Sequence, residues 1–439
     1  MWKDSIIIFK LRWDILGTPR DIFAYIMGSC EIGRAVVGVR FLHVADLHIG
    51  KRVNSMSMLD DQRYILDQIV SIAKEKDIAA LVVAGDIYDK ASPSAEAVTV
   101  FDAFLSDVTA LGVHVLAVPG NHDSAERIAY AQGLLARQGV CFPPVFDGTV
   151  ECVTLDDDYG PVKVWLLPFL KPGDVRRFFP QEDIGDDYSV ALRAALSSCD
   201  VDKSERNIIV SHQFVTAAGV SPERADDEIK LGGIDNVDVS VYEAFDYVAL
   251  GHVHRPQRVG RDTARYAGSP LKYSFGEARY DKSAVLVDVG KKERGDAVGS
   301  CVSFELIPLN PLHDMRELRM TLDELVAEGA SLSAACEDYV HVTLTAEYRG
   351  FDDMLRVREV FPNVMTLDFE NTSVRAAREQ VRSAVDPDEV DTLTLFAQFY
   401  EEQKGNALDD VQERIVENAI REIQEASARG DIDEEGDAR

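Results

Sequence analysis

The sequence predicts an α/β sandwich with helices on the outside, and two observations carry the prediction. From Val39 to about Gly290, short continuous apolar runs alternate with segments whose apolar residues recur at helical spacing. Five of those runs lead directly into a short polar motif: Asp46-Leu47-His48, Gly85-Asp86-Ile87-Tyr88-Asp89, Gly120-Asn121-His122-Asp123, Ser211-His212-Gln213 and Gly251-His252-Val253-His254. Apolar runs that stop at Gly, Asp or His read as buried strands whose ends open onto one site. Strand ends are rigid, so side chains placed there converge without loop entropy opposing them.

The elements follow in order. Residues 1–38 carry no matching motif, are broken by Gly17, Pro19, Gly28 and Gly33, and are expected to form a poorly ordered extension. Phe41–Ala45, Ala80–Ala84, Val115–Val118, Asn207–Val210 and Tyr247–Leu250 are the five strand-like runs. Between them, Met58–Lys76 and Ser94–Leu111 show helical periodicity, the second opened by Ser92-Pro93-Ser94. Ser124–Gln138 follows the third motif and is expected to be one helix whose N-terminus lies near the site. Past Gly290 the texture changes. A helix at Met315–Glu328, a strand at Tyr339–Ala346, a helix at Asp352–Val360 and a strand at Val364–Phe369 predict a small α+β module. Two amphipathic stretches, Val390–Lys404 and Ala407–Ala426, either pack on their own domain or dock a partner's helix pair. The domain organisation expected is 39–300 for the sandwich, 301–380 for a capping module, 381–426 for a helical docking segment and 427–439 for an acidic, disordered tail.

Bulk composition bounds the function. A chain of 439 residues that is 46% hydrophobic and 28% charged is a globular protein of two or three domains. No apolar run approaches the roughly 20 residues that span a bilayer. The six cysteines are scattered without a C-x-x-C pair, which predicts reduced thiols in a cytoplasmic protein. A formal net charge of −30 sits awkwardly with a chain that grips nucleic acid alone, because duplex binding draws on Lys and Arg. Carboxylates that hold cations count toward that charge although the cation reverses the local field.

The motifs hold five of the nine histidines. Asp46 and His48, two apart on an extended segment, can serve one cation. Asp86 adds a carboxylate able to bridge two cations, with Gly85 allowing the turn before it. Asn121 offers a neutral oxygen, His122 points elsewhere and is free for substrate, and His212, His252 and His254 complete the set. An O/N donor set without thiolate disfavours structural zinc and suits Mn²⁺, with Mg²⁺ or Fe²⁺ as alternatives.

The order D-x-H, G-D-x-x-D, G-N-H-D, x-H-x, G-H-x-H resembles the calcineurin-like metallophosphoesterase superfamily. The segment Val44–Gly50, the pair Asp61-Gln62 and the loop Tyr266–Glu277 are similar, within it, to the SbcD family of nucleases. The resemblance implies a four-layer αββα metallophosphoesterase sandwich with a small α+β capping domain and C-terminal helices. It implies one ion on Asp46, His48, Asp86 and His254, and a second on Asp86, Asn121, His212 and His252. Together these would clamp a phosphodiester and activate a water for in-line attack. His122 would then protonate or support the leaving oxygen, oriented by Asp89.

The function implied is a Mn²⁺-dependent DNA exonuclease and endonuclease of repair and recombination, cytoplasmic and nucleoid-associated, forming a homodimer within a heterotetramer. A P-loop is absent from the sequence, so ATP dependence would come from an SbcC-like SMC-type ATPase. Lys51, Arg52, Arg255 and Lys272, beside the motif loops, are candidate DNA contacts. The alternatives are a phosphatase or phosphodiesterase of the same superfamily, or a non-catalytic scaffold that docks the ATPase.

Overall fold

The computed structural model describes residues 38–224, 235–331, 337–345 and 351–370, with isolated positions between 393 and 418. The expected N-terminal extension (all but Gly38) and the acidic tail lie outside the described residues. Of the two C-terminal stretches only those isolated positions fall within them, and each is helical. The chain divides into two compact units, 1–343 with 354–368, and 344–353 with 369–439.

In chain order the main strands of the first half are β1 (Val39–Val44), β2 (Ala80–Ala84), β3 (His114–Val118), β4 (Val140–Cys141), β5 (Glu151–Asp157) and β6 (Gly160–Leu167). They continue as β7 (Arg206–His212), β8 (Tyr247–Gly251), β9 (Gln257–Val259), β10 (Arg261–Tyr266), β11 (Ser283–Val289) and β12 (Val302–Pro308). One six-stranded sheet has the order β12-β11-β1-β2-β3-β4, the other β9-β10-β8-β7-β6-β5. Within each, four strands are parallel: β1 to β4 in the first, and β6, β7, β8 and β10 in the second. Parallel pairing gathers the carboxyl ends of β1, β2, β3, β7 and β8, which precede or carry the five motifs, at matching edges of the two sheets.

Strand alternation builds the layers. Phe41, Val82, Leu116, Val164, Ile208, Val210 and Tyr247 pack together in the seam between the sheets. Their neighbours Leu42, Leu81, Val83 and Val115 face the other way. There they meet helices α1 (Leu59–Glu75) and α2 (Ala95–Ala110). On the second sheet Trp165, Ile209, Val248 and Leu250 face outward onto Leu192 and Ala195 of a further helix, Tyr188–Leu196. Burial on both faces is why these strands read as continuous apolar runs. The result is the four-layer αββα sandwich that the motif order implies. Helix α1 buries Ile65, Leu66, Ile69, Ile72 and Ala73 on one face, and Ser94 caps α2 by accepting the Ala97 amide at 3.2 Å, a contact worth about 1 kcal/mol.

Two element predictions need correction. Ser124–Gln138 is not one helix but two four-residue helices, Ala125–Ile128 and Gln132–Leu135, and a 3₁₀ turn. Ala131 between them has φ +58°, which ends the helical register. Four residues do not sum to a useful dipole, so this segment brings no effective helix N-terminus to the site. Met315–Glu328 is likewise split into a strand, Met315–Met320, and a helix, Leu322–Ser331. Thr321 and Glu324 form a capping box: Glu324 Oε2 accepts the Thr321 amide at 2.8 Å and Thr321 Oγ1 accepts the Glu324 amide at 3.3 Å. That box starts the helix at Thr321 and releases the preceding residues to a three-stranded sheet with Tyr339–Leu344 and Val364–Phe369.

Candidate metal centre

The five motifs meet where the two sheets come together. Four of their residues adopt positive φ without being glycine: Asp46 (+54°), His48 (+45°), Asp86 (+49°) and His252 (+100°). Such geometry is unfavourable for a side-chain-bearing residue and is characteristic of functional positions held by their surroundings. Asp46 and His48 therefore share a side through a bent backbone and not, as an extended segment would have it, through strand alternation. Gly85 (φ +86°) and Gly120 are needed for closeness. A Cβ on the first would run into the His212 ring, and one on the second into the Asp86 carboxylate.

Asp86 is the centre of the arrangement. Its Oδ2 lies 3.5 Å from His48 Nε2 and 3.3 Å from His212 Nε2, while Oδ1 accepts the His122 amide at 2.9 Å. On one side, His48 Nε2 and His254 Nε2 face each other at 3.2 Å, and Asp46 Oδ2 is buried with no hydrogen-bond partner. On the other, Asn121 Oδ1 lies 3.1 Å from His212 Nε2 and 2.9 Å from His252 Nδ1. His252 and His254, two apart, thus turn to different clusters. Ligand atoms of Asp46, His48 and His254 are mutually close enough to hold one ion, as are those of Asp46, Asp86 and His212.

Electrostatics test whether a divalent cation fits. Burial pushes Asp46 up to about 6 and holds His48 well below the usual histidine range. Burial also opposes ionisation of Asp86, but the neighbouring His212 overrides it and keeps that carboxyl well below its ordinary value. Burial would likewise neutralise His212, yet Asp86 raises it to about 9. The protein alone thus offsets its buried carboxylates with an imidazole proton. A divalent cation supplies the same compensation while using the nitrogen lone pairs, so the donor set fits one.

Second contacts fix the donors. His212 Nδ1 donates to the Ala84 carbonyl at 2.8 Å, leaving Nε2 for the site. His254 Nδ1 lies 3.1 Å from Glu277 Oε1, and buried Lys282 pairs with the other oxygen. Gln62 binds the His48 carbonyl at 2.7 Å, the Tyr273 hydroxyl at 3.1 Å and the Gly50 amide at 2.9 Å, fixing the first motif loop. Asp123 accepts the amides of Ile87, Tyr88 and Gly120 at 2.9–3.0 Å, stapling the second motif to the third. Burial, and then Asp86, push its carboxyl up to about 6 against those donors. Asp123 was visible within its motif; Gln62 and Glu277 fall in segments that carry the family resemblance, but their contacts, made with distant chain segments, had no local signal.

His122 lines the cleft with its ring edge-on to His48, centroids 4.9 Å apart. Its Nδ1 is 3.0 Å from the backbone carbonyl of Asp89. The Asp89 carboxylate does not orient His122; it pairs with Lys51 Nζ at 3.0 Å and lies 3.7 Å from His48 Nδ1. Asp89 thus meets His122 through its main chain, not through its carboxylate. Of the candidate DNA contacts, Lys51 lines the cleft beside Tyr273, Arg52 is exposed and binds the Ser55 carbonyl, and Arg255 pairs with Glu223. Lys272 is corrected: its side chain, only 13% exposed, is engaged by the Ala278 carbonyl and Asp314, both at 2.8 Å. The cleft encloses about 270 Å³, and Arg224, not anticipated from the sequence, also lines it.

Known proteins place this geometry in a family. Residues 39–256 match the family model for calcineurin-like phosphoesterase, and residues 311–404 match that for the type 5 capsule protein repressor C-terminal domain. The SbcD component of the SbcCD nuclease from Staphylococcus epidermidis is 26% identical over 377 residues, which are 85% of this chain and 96% of that relative. Among solved structures, a dimetal phosphatase from Danio rerio aligns at 15% identity with TM-score 0.36, over 63% of this chain and all of that one. A protein from Thermus thermophilus aligns at 14% identity with the same TM-score, over 62% of this chain and all of its own. No described helix is long and apolar enough to cross a membrane. The chain belongs to the calcineurin-like phosphoesterases, in their SbcD branch, and is a metal-dependent hydrolase of phosphoester bonds.

Proposed function

We propose that the protein is a Mn²⁺-dependent DNA nuclease, cutting duplex ends as an exonuclease and hairpins or single strands as an endonuclease. It works as a homodimer with an SbcC-like ATPase in repair and recombination. The observation that carries this reading over that of a phosphatase is the extent of the likeness to the staphylococcal SbcD chain. It runs through 96% of that nuclease component, and the second matched domain at 311–404 lies beyond the phosphoesterase core.

Asp46, His48, Asp86 and His254 would hold one cation, and Asp86, Asn121, His212 and His252 the other. The cations supply neutralisation of the phosphodiester charge and activation of a water for in-line attack. The protein's own part is placement. Strand ends and the Asp123 staple hold the donors, and the buried carboxylates of Asp46 and Asp86 present counter-charge to a cation. His122 Nδ1 must carry a proton to meet the Asp89 carbonyl, so Nε2 is the atom left to face substrate. Protonated there, it donates to the departing oxygen, which leaves as a neutral hydroxyl.

The test is cleavage of duplex and hairpin DNA with manganese, against p-nitrophenyl phosphate esters. DNA hydrolysis supports the proposal; hydrolysis of the esters alone overturns it.

A further inference from the structure

Beyond the reacting phosphodiester, a DNA strand is held by basic side chains on its phosphates, and the basic residues nearest the motifs are largely committed elsewhere. Lys51 pairs with Asp89, Lys272 with Asp314, and Arg255 with Glu223. Arg224 is placed differently. Its guanidinium carbon lies 4.2 Å from the centroid of the Phe214 ring, and it lines the same cleft as Asn121, His122 and His252. Phe214 is itself buried and packs edge-on to His252, centroids 6.1 Å apart. The aromatic platform under Arg224 is thus braced against one of the candidate ligands.

Stacking uses the face of a guanidinium and leaves its N–H edge directed sideways, the edge that binds phosphate in a two-point fork. A guanidinium resting on a ring has also given up part of its freedom in advance, so less is lost when it engages an anion. The adjacent carboxylate, Glu223, is taken by Arg255. Asp235 lines the cleft as well and, among the described residues there, is the one acid that neither belongs to a motif nor supports a ligand histidine. We propose that Arg224, seated on Phe214, is the residue that grips a phosphate of the DNA strand on the Asn121–His252 side of the cleft. This assignment rests on the nuclease reading above.

The experiment compares the full chain with Arg224→Ala and Arg224→Lys in manganese-dependent cleavage of duplex DNA across a salt series, with manganese affinity measured by calorimetry. The alanine variant is expected to raise KM for DNA about tenfold or more. It should also flatten the dependence of log KM on log salt by about one. Lysine should restore the salt dependence but only part of KM, because it keeps the charge and loses the fork. Manganese affinity should match the unsubstituted chain in both variants. Equal KM and equal salt dependence in all three proteins would overturn the assignment alone. So would a manganese affinity that falls in step with KM, which marks a structural role. Absence of DNA cleavage by the unsubstituted chain would instead overturn the nuclease reading, and this assignment with it.

Discussion

His122 Nδ1 and the main-chain carbonyl of Asp89 lie 3.0 Å apart, so the ring is oriented by backbone and not by a carboxylate. The consequence is an asymmetry between two neighbouring substitutions. His122→Ala should leave manganese binding intact and lower turnover by about a hundredfold or more, the usual worth of a positioned proton donor. Asp89→Asn should cost less than about tenfold, since the carbonyl that holds His122 remains. Steady-state cleavage with parallel manganese titration checks both; equal losses would return the orienting role to the Asp89 side chain.

Glu277 lines the cleft and supports His254, accepting from its Nδ1 at 3.1 Å. Replacing it by Gln removes the charge that sets the tautomer and weakens the partner of buried Lys282. Manganese affinity should fall about 10–100-fold. Calorimetry of the variant decides the point, and an unchanged affinity would remove Glu277 from the ligand-orienting network.

Asp61 and Gln62, adjacent on α1, look in opposite directions. Asp61 accepts the His313 amide at 3.1 Å and the Tyr339 hydroxyl at 2.7 Å, while Gln62 holds the His48 carbonyl at 2.7 Å. Asp61→Asn should therefore cost about 1–3 kcal/mol of stability, as expected when charge-assisted hydrogen bonds are weakened in a buried site. Gln62→Ala should instead show mainly as weaker manganese binding. Thermal unfolding beside a manganese titration separates the two; identical profiles for both variants would contradict this division of labour.

His43 is buried between the sheets beside the Tyr247 hydroxyl, at 3.1 Å, and burial pushes its imidazole down to about 3. Between that value and an unfolded value of about 6.5, the unfolded chain binds a proton that the folded chain does not. Stability from this group is therefore complete above about pH 6.5 and is lost as pH falls through the window. The loss should be on the order of 2 kcal/mol by about pH 5. Unfolding curves of the native chain and of His43→Phe, at about pH 7 and pH 5, should differ in their pH response by that amount. Parallel curves would show that His43 is not held neutral.

The sandwich and the meeting of the five motifs were legible because each signal is local: an apolar run followed at once by Asp, Asn or His. Pairings across the chain were not. Glu277 lies 23 positions beyond His254, and no periodicity ties them. Arg224 reads as an ordinary loop charge until Phe214 is beneath it. Lys272 reads as a loop cation until Asp314 closes on it. The left-handed backbone at Asp46 and His48, whose amides donate to the carbonyls of Gly85 and Asp86, stands where sequence suggests plain extension. The break at Ala131 also has no sequence marker, since alanine favours helix and yet adopts φ +58° there.

The central claim is that the five strand-end motifs form one centre for two divalent ions with Asp86 between them. Anomalous diffraction at the manganese edge from crystals of the full chain soaked in manganese tests it most directly. Two peaks are expected, one bounded by Asp46, His48 and His254, the other by Asn121, His212 and His252, both touching Asp86. A single peak, or peaks away from Asp86, would contradict it.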